Sequence, residues 1–316
     1  MNDLDKNFQE DHQQAVKDWW NSKETKEKWT GATYQDNWET HLHYWIRQKK
    51  TLEYIDNSNL PDDAKILELG FGGSETALKI LEKGYTYYGM DVSKNLCDHA
   101  KKICQDHVKK NKAFFIEASL EQKYEFDDNF FDVVIICGAI HYAGNLTNVF
   151  SEVRRVLKKK GKFIIGQGNM YTLNDLIEFR KFLKTFVWYL TKETFQHSYS
   201  LSFRDMLLET KLKKYFLRYS DTKFMKSEFM TNHSNKWKYK IHKRLFSKNK
   251  LKNLVEEKNF KLIDISGGPF LYSSKKNTSM VKRSINSFLQ FLLDKKKFKF
   301  LINFADNVVV ISEVKK

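Results

Sequence analysis

A chain of 316 residues with 41% apolar and 15% aromatic side chains can bury a large core, which excludes a disordered protein. Its net charge of +16 is lopsided, with 8 Lys/Arg against 11 Asp/Glu in residues 1–60, 16 against 15 in 61–166, and 31 against 13 in 167–316. No secretory signal or membrane-length apolar run is visible, and Cys97, Cys104 and Cys137 lack metal-ligand spacing, so a reducing, cytoplasmic setting without a metal site is expected.

Residues 1–58 read as helical and unusually aromatic, with Trp19, Trp20, Trp29, Trp38 and Trp45 joined by Tyr34 and Tyr44. Apolar positions Leu42, Trp45, Ile46, Leu52 and Ile55 predict a helix over Trp38–Ile55, broken by the polar run that leads to Pro61. An alternating rhythm follows. Strands are expected at Lys65–Leu69, Tyr85–Asp91, Ala113–Glu117, Phe131–Cys137 and Lys162–Gly166. Helices are expected at Ser74–Lys83, Ser93–Val108 (with Ser93 as N-cap) and Leu146–Leu157. Strands separated by helices of this length imply an α/β chain with a parallel sheet covered on both faces.

The rhythm stops at Asn169. Helical spacing over 173–190, apolar on nearly all sides, predicts a buried or lipid-covering helix, and 211–250 is rich in lysine interleaved with aromatics. The rhythm then returns with a helix at Leu251–Lys258 and strands at Phe260–Ser266 and Asn307–Ile311. Between those strands lies an amphipathic segment, Ser284–Leu293, followed by Lys295-Lys296-Lys297.

The stretch Ile66-Leu67-Glu68-Leu69-Gly70-Phe71-Gly72-Gly73-Ser74 organises the rest. It reads as strand, tight turn and helix N-terminus, where backbone N–H groups can meet a ligand. A phosphate-binding loop needs a lysine beside Ser/Thr, and none follows the glycines. A dinucleotide turn needs a third glycine where Glu75 stands, and Glu68 and Glu75 would oppose a pyrophosphate. The cationic amino-acid end of S-adenosylmethionine (SAM) suits a carboxylate at Glu68, with Gly70 and Gly72 permitting close approach.

These residues resemble the class I SAM-dependent methyltransferases, within the broad small-molecule group that includes ubiquinone methyltransferases. The first family motif is matched by Glu68-Leu-Gly70-Phe-Gly72-Gly-Ser74, with Ser for the last glycine. The acidic residue expected after strand two, which accepts from the ribose hydroxyls, is Asp91 in Tyr88-Gly-Met-Asp91-Val92. Glu117-Ala118 stands where an Asp-Ala pair often lies near adenine. The run Asn129 to His141, ending Cys137-Gly-Ala-Ile-His141, matches the fourth strand and its exit loop. Glu152 to Gly161 matches the helix and turn into strand five. The resemblance implies a Rossmann-like, seven-stranded, mostly parallel sheet with helices on both faces, an N-terminal helical lid and helical insertions in the C-terminal half. It implies SAM as cofactor, bound by Glu68, Gly70, Phe71, Gly72, Gly73, Asp91, Val92, Glu117, Ala118 and Cys137.

The corresponding division is a lid over 1–60, a SAM-binding core over 61–168, an acceptor-site insertion over 169–246, and closing elements with a second insertion over 247–316. For proton removal, His141 is the candidate base and Tyr142 a weaker alternative. His41 and His43 lie too far from a third ligand to suggest a metal, and the aromatic residues around them either pack the helix or cover SAM. The expected activity is methyl transfer to N or O of a small-molecule or lipid-linked acceptor, with the basic segments meeting an anionic membrane surface. RNA or protein methylation through the basic C-terminal half, or SAM binding without turnover, remain as alternatives. Cys137-Gly-Ala-Ile140 in place of an Asn/Asp-Pro-Pro-aromatic motif makes base-modifying chemistry on nucleic acid the less favoured reading.

Overall fold

The computed structural model describes residues 6–30, 38–169, 172–173, 195–196, 241, 243–244, 246–271 and 280–315. The predicted helix over 173–190, most of the basic stretch 211–250, and the side chains of Trp38, His41, His43, Tyr44 and Trp45 lie outside the described residues.

Three helices come first: α1 (Lys6–Trp20), α2 (Lys23–Thr30) and α3 (Trp38–Asp56). The alternating part then runs β1 (Lys65–Leu69), α4 (Glu75–Glu82), β2 (Thr86–Asp91), α5 (Lys94–Ile103), α6 (Gln105–Lys109), β3 (Ala113–Glu117), β4 (Phe131–Cys137), α7 (Leu146–Val156) and β5 (Leu157–Gly168). A two-residue pairing of β6 (Phe195–Gln196) with β7 (Lys243–Arg244) precedes α8 (Lys248–Glu257) and β8 (Phe260–Gly268). The chain closes with α9 (Met280–Asp294), a 3₁₀ segment (Lys296–Phe304) and β9 (Asn307–Val314).

Seven strands form one sheet in the order β3-β2-β1-β4-β5-β9-β8. The pairs among β1 to β5 are parallel, whereas β9 runs antiparallel between β5 and β8. The order reverses between β1 and β4. Their carboxyl ends therefore flank the crevice where open α/β sheets bind ligands.

The side-chain alternation of the strands separates two cores. Leu67 and Leu69 of β1 join Val134, Ile136, Phe150 and Phe260 on the face covered by α7 and α8. Ile66 joins Ile80, Leu96, Leu52 and Ile55 on the face covered by α3, α4 and α5. Both faces of β4 are buried, as its unbroken Val133–Ile136 run requires.

Local chemistry sets the boundaries. Ser93 caps α5 by accepting from Leu96 N at 3.3 Å. The single helix expected to Val108 is broken at Cys104, whose backbone leaves the helical region, giving α5 and α6. β5 is also longer than expected at both ends. It picks up Phe131↔Leu157 pairing before a register shift, and antiparallel pairing with β9 carries it to Gly168.

Candidate active site

The turn after β1 is built from left-handed backbone. Gly70, Gly72 and Ser74 have φ of 74°, 59° and 69°. Ser74 thus adopts the conformation that the absent final glycine would adopt without strain. Gly70 also answers to packing, since a Cβ there would lie 2.4 Å from Ala139 Cβ in the exit loop of β4. The turn and that loop touch, and only glycine permits it.

Three carboxylates gather beneath the turn. Glu68 is buried, and its Oε2 accepts from Tyr87 Oη at 2.7 Å. Burial pushes Glu68 up to about 8, against the Tyr87 hydrogen bond that lowers it, and Glu75 and Asp91 raise it further. Burial lifts Glu75 to about 7. Asp91 rises to about 6 for the same reason, although N–H donors at Ser93, Gly72 and Val92 pull against it. Asp91 Oδ2 accepts from Gly72 N at 3.2 Å and Oδ1 from Ser93 N at 2.9 Å, so it ties the turn to the end of β2. Among the described residues, Glu75 Oε2 and Ser74 Oγ are buried without a hydrogen-bond partner.

The other expected ligand positions divide into two kinds. Gly73 lies under the folded-back Glu75 carboxylate, whose Oε1 would be 2.6 Å from a Cβ there. Ala118 N donates to Asp91 O at 2.9 Å, and Glu117 lies beside Asp91 in register at the end of β3. Val92 packs against the cluster of Val16, Trp19 and Ile241, as Trp20 and Tyr142 do. Phe71 and Cys137 instead turn their side chains away from the turn. The Phe71 ring meets Phe115 at 5.3 Å in the core. Cys137 Sγ lies 3.5 Å from Thr51 Oγ1 of α3, and burial raises its thiol to about 11. Each can offer a ligand only backbone.

His141 lies on a 3₁₀ turn, Ile140–Tyr142, just past β4. Its Nδ1 is 3.1 Å from Gln167 Oε1 near the end of β5. A carbonyl oxygen accepts, so Nδ1 carries the proton and Nε2 is the basic nitrogen. The Tyr142 ring lies tilted at 4.0 Å from the His141 ring and meets Trp20 edge-on at 5.9 Å. Burial raises the Tyr142 phenol well above its ordinary value.

Helices α1 and α2 lie over this edge of the sheet. His12 Nε2 donates to Tyr142 O at 2.7 Å, and burial lowers His12 to about 4, keeping it neutral. Lys17 Nζ reaches Glu117 Oε1 at 2.8 Å. Asn95 Nδ2 donates to Asn21 O at 2.9 Å, and Ser93 Oγ donates to Trp20 O at 2.8 Å. The Trp29 ring covers Gly72, whose Cβ would fall 3.7 Å from it, and meets Trp20 at 5.6 Å.

Several residues near the crevice escape sequence reasoning. Arg47 is buried against the ends of β4 and β5, with its guanidinium 3.0 Å from a Cβ placed on Gly138. Its only sequence signal is a charge set beside the apolar stripe of α3. Arg244 is likewise buried and donates to Ala143 O and Gly144 O, fixing the loop after His141 from 100 residues away. Gln167 and His12 carry no motif at all.

Strand order, glycine turn and acidic ends of β1 and β2 together define a class I SAM-dependent methyltransferase fold. A profile of the family described as "Methyltransferase domain" matches residues 67–165, so this segment is similar to class I SAM-dependent methyltransferases. It is 30% identical over 107 residues to "Putative methyltransferase YqeM" of Bacillus subtilis (strain 168), covering 33% of this chain and 42% of that protein. It is 24% identical over 131 residues to a demethylmenaquinone methyltransferase of Leptospira interrogans, covering 41% and 52%. The matches thus span about half the length of these relatives or less. The PH0226 protein of Pyrococcus horikoshii OT3 shares the fold, with a TM-score of 0.51 at 15% identity over 94% of this chain and 99% of that one.

The residues fit the family's cofactor, SAM. Three buried carboxylates with raised pKa favour a cationic ligand, which would stabilise their ionised forms, and they oppose a phosphate. The left-handed turn opens backbone to close approach, and the unpartnered Ser74 Oγ and Glu75 Oε2 lie at the start of α4.

Proposed function

We propose that this protein transfers the methyl group of SAM to a nitrogen or oxygen of a small-molecule or lipid-linked acceptor. The carrying observation is the acidic cluster of Glu68, Glu75 and Asp91 under the glycine turn, one loop away from an oriented histidine. When bound, SAM supplies an electrophilic methyl carbon on a sulfonium.

In this reading Glu68 and Glu75 meet the cationic amino-acid end, and the backbone of Gly70 to Gly73 lies against it. Asp91 accepts from the ribose hydroxyls with the lone pairs that Gly72 N and Ser93 N leave. Glu117 and Ala118 border the adenine, while Phe71, Val92 and Cys137 contribute backbone or walls. Residues 1–60 act as a lid, with Trp20, Trp29 and Tyr142 excluding water from the transfer. His141 takes the proton lost by the acceptor heteroatom on Nε2, with Gln167 holding the ring by Nδ1–H. The raised phenol pKa makes Tyr142 the poorer proton acceptor of the two. Acceptor contacts fall to the 169–246 insertion.

The test is incubation of the intact protein with methyl-labelled SAM and a fractionated cell extract. Label in lipid or small polar metabolites is expected. Label confined to RNA or protein would move the acceptor to a polymer. SAM binding without label in any fraction would make the chain a non-catalytic binder.

A further inference from the structure

Helix α9 carries apolar residues on two sides, and among the described residues only one side packs into the core. Asn286 Oδ1 accepts from Phe270 N at 2.9 Å and Leu271 N at 2.7 Å, just beyond β8. Leu289 and Leu293 pack into the core on the same side. These contacts fix the rotation of the helix about its axis. A second stripe, at helical spacing through Val281, Ile285, Phe288 and Phe291, is exposed. Phe288 is 60% exposed, Phe291 56%, and Phe300 in the following 3₁₀ segment 57%. Scattered exposed apolar residues are ordinary, but two phenylalanines on one helical stripe, with a third exposed in the segment that follows, are not.

The surroundings of this stripe are basic. Residues 280–304 contain six Lys/Arg and one acidic residue. Lys295 Nζ is 5.1 Å from the centre of the Phe291 ring, and Lys299, itself exposed, follows one turn later and pairs with Asp264. Exposed aromatic side chains with a lysine ammonium over one ring and further lysines nearby in the chain are the chemistry of a helix lying in the plane of an anionic bilayer surface. There the rings enter the acyl boundary and the lysines meet lipid headgroups.

The position within the sheet adds direction. α9 and the 3₁₀ segment connect Gly268 of β8 to Asn307 of β9, which pair with each other, and Asn307 also pairs with Gly168. That is the carboxyl edge of the parallel strands, the edge that carries Gly70 and His141. A Cβ on Gly268 would lie 3.3 Å from Ile46, the neighbour of Arg47.

We infer that the outward face of α9 and Phe300 is a docking surface for an anionic lipid bilayer, holding the crevice toward the membrane. The inference deepens the reading of a lipid-linked acceptor and rests on that reading for its purpose, but the binding itself is measured without turnover.

The intact protein is mixed at low and at high salt with sedimentable vesicles of phosphatidylglycerol and, separately, of phosphatidylcholine. SAM binding of the same samples is followed by calorimetry. Expected are binding to phosphatidylglycerol vesicles that weakens with salt, little binding to phosphatidylcholine, and a loss of at least about tenfold in partitioning for Phe288→Ser/Phe291→Ser. Both side chains are on the surface, and unchanged SAM affinity in the variant confirms that it is folded. A separate Lys295→Glu/Lys299→Glu chain should lose binding in the same way. The inference is overturned if the intact protein binds neither vesicle, if the phenylalanine variant binds as well as the parent, or if that variant instead dissolves a dimer seen by light scattering. Any of these with SAM binding intact leaves the methyltransferase reading standing. A parent chain that binds vesicles but not SAM would refute that reading alone.

Discussion

Gln167 Oε1 lies 3.1 Å from His141 Nδ1, joining the end of β5 to the loop after β4 and holding the ring whose other nitrogen is the proposed base. His141→Ala should keep SAM affinity and lower kcat by about 100-fold, as loss of a general base does. Gln167→Leu should cost less and shift the acidic limb of the pH–rate profile, because the ring loses its tautomer restraint but not its basic nitrogen. Full activity in His141→Ala would remove the proposed base.

The acidic cluster makes a signed prediction about pH. Glu68, Glu75 and Asp91 have native pKa values raised to about 8, 7 and 6 from ordinary values of 4.5, 4.5 and 3.8. The folded chain therefore binds more protons than the unfolded chain between those limits, and their contribution to stability falls as pH rises through that window. The thermal midpoint of the ligand-free protein should drop between about pH 5 and pH 8, and Glu68→Gln should flatten the drop. A cation bound against the cluster lowers these pKa values. SAM binding near neutral pH should accordingly release protons, seen as a binding enthalpy that varies with the buffer's ionisation enthalpy. Identical enthalpies across buffers would contradict the placement of the cationic end.

Ser74 has φ 69° and a buried hydroxyl without a partner. Ser74→Gly should stabilise the protein by about 1 kcal/mol, the left-handed penalty less the added chain entropy. Gly70→Ala should destabilise it by about 1–3 kcal/mol through overpacking against Ala139. Chemical denaturation of the two variants checks both signs. Gly70 substitutions consequently test the fold before they test ligand binding.

Asp91 has two duties, and the variants can separate them. Asp91→Ala removes acceptors for Gly72 N and Ser93 N as well as for a ribose, so a lower thermal midpoint should accompany lost SAM binding. Asp91→Asn keeps one carbonyl acceptor and should retain more stability while binding SAM at least about tenfold more weakly, the cost of a charge-assisted hydrogen bond. Unchanged affinity in Asp91→Asn would refute the ribose contact.

What the sequence makes legible is what depends on neighbours along the chain. β1, β3 and β4 begin and end where their apolar patterns place them, and Ser93 caps the helix that follows it. Glu68, Gly70 and Asp91 stand out because a turn that approaches a ligand restricts residue type at fixed spacing. Gln167, His12, Arg47 and Arg244 do not stand out, because their partners lie far away in sequence, 26 residues for Gln167 and 130 for His12. Phe71 and Cys137 show the converse. Each occupies a motif position, yet strand and turn geometry send their side chains into packing. The outward stripe of α9 reads as amphipathic in sequence, and only the Asn286 contacts reveal which side is hidden.

α1 meets the sheet edge through His12 to Tyr142, Lys17 to Glu117 and Trp20 to Ser93, beside the packing of Val92 and Tyr142 against Val16 and Trp19. Every strand of the seven-stranded sheet lies after residue 64. A chain shortened to begin at residue 38 would keep the whole sheet and α3 while losing the roof over its crevice. Such a protein should still fold, yet exchange its nucleoside freely with solvent. On the proposed lid reading, architecture and retention of the small molecule are encoded in separate stretches, which selection can alter one at a time.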